Sequence, residues 1–186
     1  MANATKAFGL RPLGKVGGAY AAGSQSEYEI QDAMASSIFQ GDLVALSGGY
    51  VVPVQSSATG SILGVFNGCL VESDPSSAKP VWSNNYVGGT NITSGKIKAF
   101  IIDDPDQLYL VKSTGTATGI TSVGTAFDAI YAAGDSTNGI SGVKLDLASS
   151  TNGQMLIVGL DSDPTNEVGV ASENFIVKIA KGQQLI

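Results

Sequence analysis

Apolar residues along this chain come in short runs separated by turns built from Gly, Ser, Thr, Asn and Asp-Pro. Glu27-Tyr-Glu-Ile-Gln-Asp32 alternates polar with apolar positions, the period of a half-buried strand. Ala33 to Phe39 reads as a short link. Gln40-Gly-Asp-Leu-Val-Ala-Leu46 then turns into an apolar strand, and Ser47-Gly-Gly49 supplies the positive φ that a tight hairpin demands. Tyr50-Val-Val-Pro-Val54 is the return strand. Pro53 cannot donate to a ladder, which places this strand at an edge. After a loop over 55–60, Ser61 to Phe66 forms a third strand, and Gly68-Cys-Leu-Val71 continues it past a glycine bend or bulge. Residues 72–91 make a long excursion carrying Pro75, Pro80, Trp82 and Tyr86.

Lys96-Ile-Lys-Ala-Phe-Ile-Ile102 and Gln107-Leu-Tyr-Leu-Val-Lys112 flank an Asp103-Asp-Pro-Asp106 turn and are expected to pair as a hairpin. Residues 114–125 are loop-like. Ala126 to Ala133 is apolar at i, i+1, i+4 and i+5 ahead of Gly134, which fits either a short helix stopped by the glycine or another strand. Val143 to Leu147 alternates, Gln154 to Leu160 is a buried strand, Asp161-Ser-Asp-Pro164 turns the chain, and Phe175 to Ile179 closes the sheet. The pattern predicts an all-β domain over 27–186, either a jelly-roll type sandwich or a small barrel, with at most one short helix.

Residues 1–26 fit neither period. Five glycines and Pro12 argue against a helix or a regular ladder, yet Phe8, Leu10 and Tyr20 are large and apolar. This segment is expected to be an extended N-terminal arm that becomes ordered by docking on another surface. Charge sharpens the division. Lys6, Arg11 and Lys15 fall before residue 27 with no acid among them, and all 16 Asp and Glu lie from Glu27 onward against seven Lys.

Composition narrows the chemistry. The chain has no histidine and a single cysteine, Cys69, in an apolar stretch, so the commonest general base and any intrachain disulfide are excluded. Charged residues make up only 14%, which suits a surface partly covered by neighbouring subunits. A pI near 4.4 argues against nucleic acid as a partner. No apolar run is long enough for a transmembrane helix, and no secretory signal is present. The acidic turns, Asp103/Asp104/Asp106 and Asp161/Asp163, offer oxygen ligands but lack the spacing of a calcium loop. Asp104 and Asp163 are a conceivable carboxylate pair that nothing in the sequence brings together. No phosphate-binding loop occurs, and no Ser-x-x-Lys stands in a helical setting. No enzyme activity, cofactor or metal is expected.

Several stretches together carry a resemblance: Phe8-Gly-Leu-Arg-Pro12, then Gln40-Gly-Asp-Leu-Val44 through a glycine turn to Tyr50-Val-Val-Pro-Val54 and Ile62-Leu-Gly-Val-Phe66, and finally Lys79-Pro-Val-Trp-Ser83 before a Gly-Gly loop. They resemble the decoration, or cement, proteins of tailed-bacteriophage heads. The resemblance implies a β-rich protein on the outer capsid surface of a virion, assembled in the bacterial host cytoplasm. It would act as a dimer or trimer that bridges subunits of the major capsid protein. The expected capsid or subunit contacts are Phe8, Leu10, Arg11, Lys15, Tyr20, Trp82 and Tyr86. A tail, fibre or baseplate component is one alternative. A carbohydrate-binding module stacking sugars on Trp82, Tyr86 and Tyr50 is another.

Overall fold

A computed structural model describes residues 3–18, 25–56, 61–73, 76, 79–115 and 119–182. Among these, fourteen strands run in chain order: β1 (Arg11–Lys15), β2 (Ser26–Ile30), β3 (Ile38–Phe39), β4 (Leu43–Ser47), β5 (Tyr50–Pro53), β6 (Gly64–Val71), β7 (Val81–Ser83), β8 (Asn85–Tyr86), β9 (Ile97–Ile102), β10 (Gln107–Thr114), β11 (Ala126–Ile130), β12 (Lys144–Asp146), β13 (Met155–Leu160) and β14 (Asn174–Ile179). One 3-10 turn, Gly119–Ser122, is the only helical element among the described residues.

The fold is all-β and contains a closed barrel. Strands β10, β12, β11, β13 and β14 pair in that order, and β14 pairs back onto β10 to complete the ring. The β10–β12 contact is parallel and the other ring contacts are antiparallel. A second sheet, ordered β2-β9-β6-β4-β5, packs against the barrel and carries β7 on the far part of β6.

Two apolar clusters follow from this arrangement, and β4 explains why. Leu43 and Ala45 face the barrel and join its core, whereas Val44 turns into the second cluster with Val51, Phe66 and Ile101. A strand with a core on each side must be apolar at every position, which is why Leu43 to Leu46 reads as an unbroken run. On β6 the register slips between Phe66 and Gly68, at the glycine that the pattern marks as a bulge. The β4–β5 hairpin turns on Gly48 and Gly49, both at positive φ. Strand β5, with Pro53, ends the sheet order as expected.

Two expectations are corrected, and one open reading is decided. Strands β9 and β10 do not form a hairpin: β9 pairs with β2 and β6, β10 with β1, β12 and β14. The Asp103–Asp106 turn instead carries the chain from one sheet to the other. Local turn chemistry specifies a reversal, not which edge the next strand joins. Residues 126–130 form strand β11, the strand of the two readings that their pattern allows, and pair with β12 and β13.

The leader is the second correction. Residues 3–18 lie along the body instead of extending from it. Strand β1 pairs antiparallel with β10, Leu10 donates its N–H to Gly41 O, and Val16 donates to Asp106 O. Asn3 is locked between Glu167 and Ala171 by three hydrogen bonds. The basic leader meets its acid counterpart within the same chain: Lys6 pairs with Asp135 and Lys15 with Asp104. Segregated charge along a sequence signals complementarity but does not say whether the complement is another molecule.

Candidate interaction surface

The seven expected contact residues separate by burial. Leu10 is 2% exposed within the barrel core and Tyr86 is 1% exposed in the second cluster. Neither reaches a partner in this fold, which corrects that expectation. Tyr86 also donates its hydroxyl to Met34 O at 3.0 Å, and burial holds its pKa above the ordinary phenol value. The large side chain that looked like an anchor is a core residue of the β3–β8 corner. Its burial also breaks up the trio of aromatics that a sugar-binding reading requires.

Phe8 is half-buried, with the Arg11 guanidinium over its ring at 4.9 Å and the Lys112 ammonium at 5.7 Å. Phe8 and Arg11 border a cleft of about 180 Å³ between leader and body, shared with Gln40, Asn67 and Ile140. Lys15 is occupied by Asp104, whose carboxyl is held below its usual range by that lysine and by the Asp106 N–H. Tyr20 lies outside the described residues.

Trp82 is the residue left open. It is 58% exposed on β7, a strand whose one ladder partner among the described residues is β6. Its indole lies across Gly68: a Cβ there would stand 2.7 Å from Trp82 Cζ2. So the bulge glycine that bends β6 also makes room for the ring. The strand register assembles a face around it. Trp82, Leu70, Lys98 and Glu29 stand side by side across β7, β6, β9 and β2, and Gly68, Phe100 and Glu27 form the next row on that side. Cys69, Val71, Ile97 and Ala99 alternate to the opposite face, into the second cluster.

Near the start of β6 the outer face of the sheet is covered by the barrel, through Val65 and Ile102. Past the bulge it is not, and Leu70 and Phe100 remain half-exposed beside Trp82. Charges frame the patch: Lys96 pairs with Glu29 at 2.7 Å and Lys98 with Glu72 at 3.1 Å. Hydrogen bonds from Lys98 and the Lys96 N–H hold the Glu72 carboxyl below its ordinary range. An aromatic centre with a charged rim is the anatomy of a protein-binding surface. Trp82 stands out in the sequence, but Leu70 and Phe100 do not; only the bulge and the limited reach of the barrel expose them.

The acidic turns have structural work. Asp103 accepts from Ser26 Oγ and Tyr28 OH, and burial followed by the Asp103 hydrogen bond pushes the Tyr28 phenol to about 12. Asp106 pairs with Lys178, and Asp163 caps Thr165. Among the described residues, no group of three or more His, Cys, Asp or Glu is placed to hold a metal ion.

Cys69 is fully buried, and burial pushes its thiol to about 12. Native protein is therefore expected to react with a thiol reagent only at the rate of opening, with full labelling once denatured. Prompt stoichiometric labelling of folded protein would contradict this placement.

Comparison with protein-family models, curated proteins and solved structures finds no match for this chain.

Proposed function

We propose that this chain is a structural protein of a tailed-phage virion, a decoration protein that binds the outer capsid surface and bridges major capsid subunits as a dimer or trimer. The reading rests on the sequence resemblance for its biological setting and on the Trp82 face for its mechanism. The observation that carries the mechanism is a tryptophan 58% exposed beside Leu70 and Phe100 on an uncovered sheet face. Attachment is assigned to this face and not to the leader, whose Leu10 is buried in the barrel core and whose Lys15 is paired with Asp104. Many copies on one shell would multiply a modest contact through avidity.

The test is co-sedimentation of purified protein with phage heads lacking it, with copy number read from the bound fraction. Hundreds of copies per head support decoration. A few copies point to a tail component, and no binding rejects the reading. Trp82→Ala is expected to weaken binding by at least about tenfold, the scale of a hot-spot truncation. Its melting temperature should move by less than about 3 °C, because the ring is mostly in solvent. A large loss of stability with unchanged binding would make Trp82 a packing residue.

A further inference from the structure

Lys112 is 4% exposed, unusual for a lysine, and both of its hydrogen bonds go to uncharged oxygens. Nζ donates to Asn174 Oδ1 at 2.9 Å and to Ser172 O at 3.3 Å. Lys112 and Asn174 are direct cross-strand partners where β10 meets β14, the contact that closes the barrel. The other end of the Asn174 amide is also held, with Nδ2 donating to Asp161 Oδ2 at 3.3 Å.

The backbone around Asn174 is fixed as firmly. Its N–H donates to Asn166 Oδ1, and its C=O accepts from Asn166 Nδ2 and from the Asp161 N–H. The Phe8 ring borders the ammonium and shields it from water. A buried primary amine, a half-buried carboxamide and a half-buried carboxylate are thus collected along one seam.

We propose that Lys112 and Asn174 form an intramolecular isopeptide bond, with Asp161 as the proton carrier. Lys112 Nζ, as the free amine, attacks Asn174 Cγ, which lies one carbonyl bond, about 1.23 Å, beyond the oxygen it already contacts. The amine has to move from the carbonyl oxygen to the carbonyl carbon, a short displacement between groups already held together. The Nζ–Cγ bond forms and the Cγ–Nδ2 bond breaks. The Asp161 carboxylate takes the proton released from Nζ and delivers it to the departing nitrogen, which leaves as ammonia. The carboxylate is regenerated, and no oxidant, reductant or cofactor is consumed.

Burial works in the same direction. Desolvation holds the Lys112 pKa below the ordinary lysine value, with the Lys144 charge adding to the effect and Asp161 opposing it. A depressed pKa enlarges the free-amine fraction at neutral pH. The product would tie β10 covalently to β14 and make barrel closure permanent, a benefit for a protein exposed to mechanical load.

Intact mass spectrometry of the full-length protein under denaturing conditions tests this directly. The expected mass is about 17 Da below the sequence value, the loss of one ammonia. Tandem spectra of a digest should show the Lys112 and Asn174 peptides joined. Lys112→Arg and Asp161→Asn should each restore the full mass, and Asp161→Asn keeps the side-chain shape if the arginine variant folds poorly. An unmodified wild-type mass after prolonged incubation at neutral pH overturns the proposal. So does a 17 Da loss that persists in Lys112→Arg, which would come from a succinimide.

Discussion

Replacing Leu10 with alanine is expected to destabilise the protein by about 3 kcal/mol, the usual cost of emptying a buried leucine site. The melting temperature should fall by roughly 10 °C for a chain of this size. Leu10 is 2% exposed and packs in the barrel core with residues of both sheets. Deleting residues 2–15 should be worse. It removes Leu10, strand β1, the Asn3 lock and the Lys6 and Lys15 ion pairs together. It would also uncover the β10 edge, a template for aggregation. Thermal melts of both variants decide the matter: a deletion that melts like the full chain would mean that the leader is a detachable arm after all.

The second large effect is expected at Asp128, where one carboxylate organises the chain between β12 and β13. It accepts from Ser149 Oγ at 2.6 Å, Asn152 N–H at 2.9 Å and Gly153 N–H at 2.7 Å. Asp128→Ala strands all three donors and should cost about 3 kcal/mol. Asp128→Asn retains one acceptor oxygen and should cost less. Burial pushes the Asp128 pKa up, but the hydrogen bonds outweigh it and leave the group below its ordinary value.

The pH dependence follows from that sign. A carboxylate with a depressed folded-state pKa stabilises the fold above its unfolded value, about 3.9, and the contribution is lost as pH falls through the folded value. Asp104 acts in the same direction. Asp42 opposes them: burial raises its pKa, so its protonation on acidification favours the folded state. Chemical denaturation from pH 7 down to pH 2 should therefore show a loss of stability concentrated below about pH 4. That loss should be shallower in Asp128→Asn, and an unchanged profile in the variant would remove Asp128 as a contributor.

Covalent closure of the barrel and attachment through Trp82 are independent. The first is read from the mass of isolated protein and the second from binding to shells. A cross-linked protein that ignores capsids would retain the chemistry and lose the assigned setting.

Period-two alternation, the glycine hairpin and the bulge at Gly68 were legible along the chain, because each depends on a few neighbouring residues. Strand character at Glu27 to Ile30, the turn at Gly48 and Gly49, and the slip at Gly68 belong to that class. All-β architecture followed from the same local rules. The isolation of Trp82 in a long excursion was visible too, though its neighbours Leu70 and Phe100 were not. Tertiary structure alone decided that β9 and β10 belong to different sheets, that Tyr86 and Leu10 are core, and that the basic leader answers its own acidic body. Each of these depends on pairing between residues far apart in the chain. Alternation records that a side chain will be buried, but not what will bury it. The Lys112–Asn174–Asp161 cluster is the extreme case, because three unremarkable polar residues become a reactive group only when ring closure sets β10 against β14.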